Sequence, residues 1–199
     1  MDKQLVLKSI KALSKGELIV YPTDTLYGIG ADIFNIDAVK KVYHVKNRPF
    51  NSPLSVAVSC IDEIKDLAYV DENVYLIAQK FLPGVLTLIL KKKKIAPDIV
   101  TGNLGNIAIR IPDNKIALEL LANYGPLTCT SANIHGKKTP ALINEIAMQF
   151  KQSGIAFFID DGKLKGKPST IVDLTKQKPE IIRKGYISKQ QIMDAIHNG

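Results

Sequence analysis

The chain has 199 residues, of which 46% are hydrophobic and 23% are charged, and this balance is typical of a protein with one sizeable core. A formal net charge of +8 favours anionic partners such as nucleotides or RNA, although a surface of solvated lysines would give the same value. The sequence contains no apolar run of transmembrane length, no leader pattern, no disulfide framework and no metal-ligand spacing. We therefore expect a cytoplasmic protein with no membrane contact and no protein-bound metal.

Helical and strand patterns alternate along the chain and predict a single domain over residues 1–199. Apolar residues recur with helical spacing over 2–16, 37–45, 70–84, 113–125, 139–150 and 188–199. Asp2 and Asp71 are predicted to begin two of these helices, because their side chains can accept free backbone N–H groups. Runs rich in β-branched residues predict strands over 17–22, 54–58, 85–92, 106–112, 126–133, 155–162, 169–174 and 180–185. The last strands follow one another too closely for helical crossovers, so we predict a mixed α/β sheet.

The segment KNRPFNSPLS, residues 46–55, places two cations beside two prolines. Lys46 and Arg48 are separated by one residue, and Pro49 and Pro53 restrict the backbone around them. An arginine grips phosphate with parallel N–H groups, and a lysine adds a mobile point charge. A stiff cationic loop can bind a polyphosphate at a small cost in ordering entropy. A surface ion pair would use the same residues, so the loop alone leaves both interpretations open.

Several other segments carry polar side chains next to predicted strands. Each has an ordinary explanation, such as a helix cap, a turn or an internal ion pair, as well as a functional one. The polar residues are Thr23, Thr25, Arg110, Ser131, Asn133, Ser169, Thr170 and Arg183. Gly28 and Gly30 in the same segments would let backbone amides approach a ligand closely. Arg110 stands between two isoleucines on a strand, so its side chain is predicted to point away from theirs. None of these segments decides the function alone.

Taken in order, these segments resemble the YrdC/Sua5 family of L-threonylcarbamoyladenylate synthases. The matching stretches are YPTDTLYGIGAD, KNRPFNSPLS, PGVLTLIL, IAIRIP, TSANIHGKKTP, STIVDL and IIRKG, which run from Tyr21 to Gly185. The Lys-x-Arg and Ser-x-Asn loops at this separation are specific to the family, and the length matches its short, single-domain form. The resemblance implies an α/β fold with a twisted mixed parallel/antiparallel sheet flanked by helices, and with a deep basic cavity.

The resemblance also implies a reaction and a set of partners. L-threonine, bicarbonate and ATP, accompanied by Mg²⁺, would give threonylcarbamoyl-AMP and pyrophosphate by nucleotidyl transfer. A tRNA threonylcarbamoyl-transferase would then modify adenosine 37 of tRNA, and double-stranded RNA or tRNA is a further candidate partner. The attacking group would be the anionic carbamate of threonine, which needs a cationic site before it can approach a polyphosphate.

The family pattern assigns roles residue by residue. Lys46 and Arg48 would be the catalytic cations. ATP would contact Lys46, Arg48, Ser52, Asn106, Ser131, Asn133, Thr139 and Arg183. Threonine would contact Thr25, Arg110 and Ser169, with Arg110 on the carboxylate.

Three positions depart from the commoner family pattern, and two other functions stay open. Ser52 stands in place of Asn, Asn106 in place of Thr or Ser, and Ala57 in place of a His near threonine. One alternative is carbamoyl transfer from carbamoyl phosphate, as in hydrogenase-maturation proteins, but those are long chains with cysteine-rich zinc fingers. The other is an RNA-binding protein that uses a basic concave face without catalysis, and such a protein would release no pyrophosphate.

Overall fold

The computed structural model describes residues 3–151, 153–164 and 166–197. Its helices are α1 (Lys3–Leu13), α2 (Ile36–Lys46), α3 (Ile61–Leu67), α4 (Glu72–Phe81), α5 (Lys115–Tyr124), α6 (Ile143–Gln149) and α7 (Lys189–His197). Its strands are β1 (Leu18–Tyr21), β2 (Gly28–Gly30), β3 (Ser55–Ala57), β4 (Leu86–Lys91), β5 (Asn106–Arg110), β6 (Leu127–Thr128), β7 (Thr130–Ser131), β8 (Ile155–Phe158), β9 (Thr170–Asp173) and β10 (Glu180–Arg183). None of the helices in these ranges has the length and apolarity needed to cross a bilayer.

Every helix and strand predicted from the sequence is present, and two further elements appear. The prediction missed α3, which has seven residues, and β2, whose sequence GIG lacks the β-branched density of a strand. The side chain of Asp71 accepts the backbone N–H of Val74 at the start of α4, as predicted. The other predicted start signal, Asp2, lies outside the described residues. The single strand predicted over 126–133 is in fact two strands that belong to different sheets.

The strands form two mixed sheets, which confirms the predicted fold class. The four-stranded sheet has the order β7-β2-β1-β8, and the six-stranded sheet has the order β10-β9-β4-β5-β3-β6. Strand pairs β1–β8, β3–β5 and β4–β9 are parallel, and the remaining pairs are antiparallel. Only Cys129 separates β6 from β7, so the chain crosses from one sheet to the other at this residue.

The central strands of the six-stranded sheet divide the hydrophobic core from a cavity. Because side chains alternate along a strand, one set from β4 and β5 is buried in the main core: Leu86, Leu88, Leu90, Ile107 and Ile109. The other set faces the cavity: Thr87, Ile89, Ala108 and Arg110. Each fully buried aliphatic side chain stabilises the fold by roughly 1.5–3 kcal/mol. A one-residue slip would exchange the two faces, so the core fixes the register that aims Arg110 at the cavity.

Candidate active site

A cavity of about 420 Å³ is lined by residues from both sheets. This volume lies within the range that small-molecule ligands occupy in proteins. The chain contains only three arginines, Arg48, Arg110 and Arg183, and all three line the cavity. Among the described residues, those that line it include no Asp or Glu. The fold therefore gathers guanidinium groups that lie far apart in sequence around one space, which is an arrangement suited to anionic ligands.

Arg110 is held at the cavity wall by a set of specific hydrogen bonds. Its NH1 group donates to the hydroxyl of Thr25 at 3.0 Å, and its NH2 group donates to the carbonyl of Gly84 at 3.2 Å. NH2 also forms an ion pair with the Asp24 carboxylate. An arginine buried on a strand needs such partners, because an unpaired buried charge is costly. The internal carboxylate and the cavity position, which the sequence left as alternatives, therefore occur together.

The Asp24–Arg110 pair is buried but incompletely satisfied. The side chain of Asp24 is 9% exposed and that of Arg110 is 6% exposed. Burial raises the pKa of the Asp24 carboxyl above its ordinary value, and the charge of Arg110 opposes that shift. Within the described residues, Nε of Arg110 is enclosed and has no hydrogen-bond partner. Among these residues Oδ2 of Asp24 is likewise enclosed and unpaired, and such unsatisfied buried polar atoms are rare in folded proteins outside functional sites.

A second network surrounds Ser169, which precedes β9. The hydroxyls of Ser169 and Thr87 share a hydrogen bond of 2.8 Å. Arg183 donates from Nε to the carbonyl of Ser169 at 3.1 Å and from NH2 to its hydroxyl at 3.1 Å. Gly185 permits this arrangement, because a Cβ there would lie 2.3 Å from the backbone nitrogen of Thr170. The glycine of IIRKG thus allows the β10 end to approach Ser169 closely.

Lys46 is buried behind the cavity and does not line it. Only 1% of the residue is exposed, and its amine donates to the carbonyls of Ser131 and Asn133, the latter at 2.7 Å. Its own carbonyl accepts the backbone N–H of His135 at 2.7 Å. In the described part of the chain no carboxylate forms an ion pair with it. Burial lowers the pKa of Lys46 to about 7, and the charge of Arg48 acts in the same direction.

The loop that Lys46 supports carries its own hydrogen-bond network. The amide oxygen of Asn133 accepts from the hydroxyls of Ser131 at 2.6 Å and Thr139 at 3.1 Å. The amide nitrogen of Asn133 donates to the carbonyls of Ile134 and Lys137. Ser131 and Thr139 line the cavity, whereas Asn133 stands behind them. Lys46 and Asn133 therefore position two hydroxyls at the cavity wall.

Arg48 stabilises the conformation of its own loop while it lines the cavity. Its Nε donates to the carbonyl of Ser52 at 3.2 Å, and its NH2 donates to the carbonyl of Pro53 at 2.8 Å. The preceding residue, Asn47, ends α2 in the left-handed conformation with φ 49° and turns the chain toward the cavity. Partial burial lowers the pKa of Arg48, but an arginine remains charged at neutral pH. The two prolines and these bonds together give the stiff cationic loop that the sequence predicts.

The structure brings most of the predicted site residues to one place. Those that line the cavity are Thr25, Arg48, Arg110, Ser131, Thr139, Ser169 and Arg183. Those that do not are Lys46, Ser52, Asn106 and Asn133. Asn106 shares a face of β5 with Arg110 but lies at the opposite end of the strand. Ala57, which stands where some family members have a histidine, is fully buried in a smaller hydrophobic cluster beside the main core. It pairs with Arg110 across β3 and β5. The ligand assigned to each residue stays a prediction.

Two residues of the site were missed by sequence reasoning. Asp24 was overlooked because a carboxylate beside two threonines reads as part of a turn. Thr87 carried a usable signal, since it is the polar residue within the apolar run VLTLIL. The scarcity of arginine was a further unused signal. Nearly all basic residues of the chain are lysines, and its three arginines all line the cavity.

Comparison with known proteins identifies the family. Residues 11–185 match the family model Sua5_yciO_yrdC, described as telomere recombination. The chain belongs to the YrdC/Sua5 family. A relative in Methanocaldococcus jannaschii is 45% identical to this YrdC/Sua5 chain over 193 residues, which cover 96% of the chain and 91% of the relative.

A similar sequence and a similar crystal structure both come from Pyrococcus abyssi. A protein of that organism named threonylcarbamoyl-AMP synthase is 35% identical over 92% of this YrdC/Sua5 chain. The chain spans only 55% of that relative's length. The crystal structure of Pyrococcus abyssi Sua5 complexed with L-threonine superposes with a TM-score of 0.91 at 34% identity, and the match covers 96% of this chain and 57% of that one. The family and fold predicted from the sequence are confirmed.

Proposed function

We propose that the protein forms threonylcarbamoyl-AMP and pyrophosphate from L-threonine, bicarbonate and ATP. The observation that carries this proposal is the gathering of all three arginines of the chain in one cavity. The reaction must bring together a triphosphate and an amino acid that carries a carboxylate and a carbamate, and guanidinium groups are the side chains best suited to both. A relative in Pyrococcus abyssi named for this activity, and the structure of Sua5 from the same organism with L-threonine, support the assignment.

Two sets of cavity residues are proposed for the two substrates, and they adjoin, because Arg183 of the ATP set donates to Ser169 of the threonine set. Arg110, Thr25 and Ser169 are proposed to bind threonine, with the carboxylate on Arg110. The proposed ATP ligands on the cavity wall are Arg48, Ser131, Thr139 and Arg183. Lys46 and Asn133 act from behind the wall, since their hydrogen bonds hold the loop that carries Ser131.

The proposed reaction requires positioning and charge stabilisation rather than a protein nucleophile. Zwitterionic threonine and bicarbonate give the carbamate with loss of water and of a proton of the ammonium group. A carbamate oxygen then attacks the α-phosphorus of ATP, the bond from that phosphorus to the bridging oxygen breaks, and pyrophosphate leaves. Arg48 and Arg183 would balance the charge on the departing pyrophosphate. Burial raises the pKa of Cys129, the thiol on the cavity wall, so this residue stays protonated and takes no covalent role.

Mg²⁺ is proposed to arrive with ATP as part of the substrate. Among the described residues no cluster of three or more His, Cys, Asp or Glu side chains could hold a metal ion. Oxygen ligands for Mg²⁺ would come from the phosphates and from water, as is common for this ion. The chain's own contribution would be the arginines that surround the phosphates.

The decisive experiment is product analysis with each substrate omitted in turn. We expect pyrophosphate and threonylcarbamoyl-AMP, detected by mass spectrometry, only when ATP, bicarbonate and threonine are all present. ADP or orthophosphate as the product would contradict the proposal. Turnover of carbamoyl phosphate without threonine would favour carbamoyl transfer, and RNA binding without any turnover would favour a non-catalytic binder.

A tRNA threonylcarbamoyl-transferase is the proposed consumer of the product, and the cytoplasm is the proposed location. Threonylcarbamoyl-AMP is a mixed anhydride, so it must be passed quickly to an acceptor before water hydrolyses it. Direct binding of tRNA or double-stranded RNA and the extent of the single domain remain predictions. A coupled assay in which adenosine modification requires this protein, a transferase and tRNA would test the proposed consumer of the product.

Replacing Arg48 with lysine should damage ATP use although the charge is kept. The lysine cannot donate to the carbonyls of both Ser52 and Pro53 and also present two parallel N–H groups to phosphate. Loss of one charge-assisted hydrogen bond costs roughly 1.5–3 kcal/mol, so kcat/KM for ATP should fall about tenfold to a hundredfold. Steady-state kinetics at low ATP measure the effect, and Lys40→Arg on the exposed face of α2 is the matched control. Unchanged kcat/KM in a folded Arg48→Lys variant would make Arg48 a surface cation.

A further inference from the structure

Asp24 is the carboxylate that pairs with a cavity arginine. It lies in the loop between β1 and β2, between Thr23 and Thr25, which both line the cavity. Its own side chain is turned to the NH2 group of Arg110 and is not part of the cavity lining. Among the described residues, no ion pair other than Asp24–Arg110 contains an arginine. Asp24 therefore acts on the cavity through Arg110 rather than by touching a ligand.

This pairing makes the net charge around the three arginines unequal, although each guanidinium itself stays charged. The bonds of Arg48 go to carbonyls, and those of Arg183 go to a carbonyl and a hydroxyl, so neither charge is compensated by a carboxylate. The charge of Arg110 is compensated by Asp24 at contact distance. Phosphate groups carry several negative charges and favour the two uncompensated arginines, whereas a zwitterionic amino acid brings no net charge.

Asp24 also limits which donors of Arg110 remain for a ligand. The two protons of NH2 are directed to Asp24 and the carbonyl of Gly84, and one proton of NH1 is directed to Thr25. Nε is enclosed, so the second proton of NH1 is the donor that remains for a ligand. One such donor with the hydroxyl of Thr25 beside it matches a carboxylate. It does not match the several oxygens of a phosphate, which favour an open guanidinium fork.

We propose that Asp24 is a specificity-determining residue: its ion pair with Arg110 keeps the amino-acid subsite open to a zwitterion and closed to phosphate groups. This inference rests on the proposed function, because it assumes that threonine binds at Arg110. The phosphates of ATP and pyrophosphate would then be bound by Arg48 and Arg183 and not by Arg110. The threonine subsite stays vacant for its own substrate even when phosphate compounds are abundant.

The test is whether pyrophosphate competes with threonine. Calorimetric titration would give the threonine Kd of each protein with and without saturating pyrophosphate. In the unmodified protein the two Kd values should agree within about twofold. In Asp24→Asn, which removes the compensating charge, pyrophosphate should enter the Arg110 subsite and raise the threonine Kd at least about tenfold, that is, by about 1.4 kcal/mol or more.

Three further variants make the result specific. Asp24→Ser also removes the charge and should behave as Asp24→Asn does, so it serves if the asparagine variant folds poorly. Asp24→Glu keeps the carboxylate and should restore independence from pyrophosphate. Asp66→Asn removes an exposed carboxylate on α3, away from the cavity lining, and it should match the unmodified protein. A melting curve for each variant checks that it is folded.

The outcomes separate this inference from the proposed function. If folded Asp24→Asn and Asp24→Ser bind threonine as independently of pyrophosphate as the unmodified protein, Asp24 does not determine specificity. Competition already present in the unmodified protein would overturn the inference too, while the synthase activity would be unaffected. If the unmodified protein binds no threonine and forms no threonylcarbamoyl-AMP, the proposed function fails and the inference fails with it.

Discussion

Threonine binding should weaken about a hundredfold when Arg110 is replaced by glutamine, while the Kd for ATP should change less than about threefold. The guanidinium lines the cavity beside Thr25, and the charge-assisted hydrogen bond proposed between it and the threonine carboxylate is worth roughly 1.5–3 kcal/mol, a factor of about ten to a hundred in Kd. Glutamine keeps most of the length and some donor capacity but loses the charge. Separate titrations with threonine and ATP measure the two effects.

The same substitution should lower stability, because it leaves Asp24 buried without its partner. Removing one member of a buried pair typically costs about 3–5 kcal/mol. Asp24 can reduce this cost by taking up a proton, since burial already raises its pKa. The double variant Arg110→Gln/Asp24→Asn should therefore regain much of the free energy of unfolding and still fail to bind threonine. Urea unfolding of both variants separates the two roles.

Two results would contradict this account of Arg110. A stable variant with normal threonine affinity would remove Arg110 from the threonine site. Equal loss of threonine and ATP binding in the stabilised double variant would mean that Arg110 supports the whole cavity rather than one subsite.

Replacing Lys46 with methionine should reduce ATP binding by at least about tenfold. Methionine has a similar shape but leaves the carbonyls of Ser131 and Asn133 without their donor, and each buried unsatisfied group costs roughly 1–3 kcal/mol. The loop would move to regain hydrogen bonds, and the hydroxyls of Ser131 and Thr139 would leave their positions. Titration with a non-hydrolysable ATP analogue measures the loss. Lys41→Met, which removes a partly buried bond to the carbonyl of Gly16 far from the cavity, is the control.

Lys46 should also couple ATP binding and stability to pH. Its pKa of about 7 lies well below that of a free lysine, so the unfolded chain holds more protons between about pH 7 and pH 10.5. The free energy of unfolding should therefore rise with pH across this window relative to that of Lys46→Met. Phosphates bound nearby favour the charged amine, so ATP binding near pH 7.5 should take up protons.

Calorimetry in buffers of different ionisation enthalpy measures that proton uptake. We expect it in the unmodified protein and not in Lys46→Met. Uptake of the same size in both proteins would assign it to the phosphates or to another group. A flat difference in stability between pH 7 and pH 10 would mean that the amine keeps its ordinary pKa in the fold.

The sequence predicted most of the elements and most of the residues that line the cavity because those features depend on local chemistry, while the ligands assigned to those residues stay a prediction. Alternating apolar residues on β4 and β5 predicted both strands, and the same alternation predicted that Arg110 points away from its isoleucine neighbours. Asp71 predicted the start of α4 through a local hydrogen bond. The helix α3 and the strand β2 were not predicted, because elements of seven and three residues, respectively, show too little hydrophobic periodicity to be distinguished from loops.

The remaining features depend on contacts between residues distant in sequence. Lys46 was predicted to grip phosphate, but its amine is directed into the loop after β7, some 85 residues away along the chain. The Asp24–Arg110 pair spans a similar separation of 86 residues. The division of 126–133 between two sheets depends on strands that pair only after the whole chain has folded. None of these partners can be selected from a single sequence by composition or spacing.

Because every arginine lies at the cavity, arginine-specific chemical labelling should report on the cavity alone. Dicarbonyl reagents that react with guanidinium groups have three targets in this chain, and all of them lie at the same site. Arg48 and Arg183 are open enough to react, whereas Arg110 is only 5% exposed and should resist. Mass spectrometry of the labelled protein would therefore measure ligand binding near Arg48 and Arg183 without any mutation. A bound ligand would lower the extent of labelling at both residues.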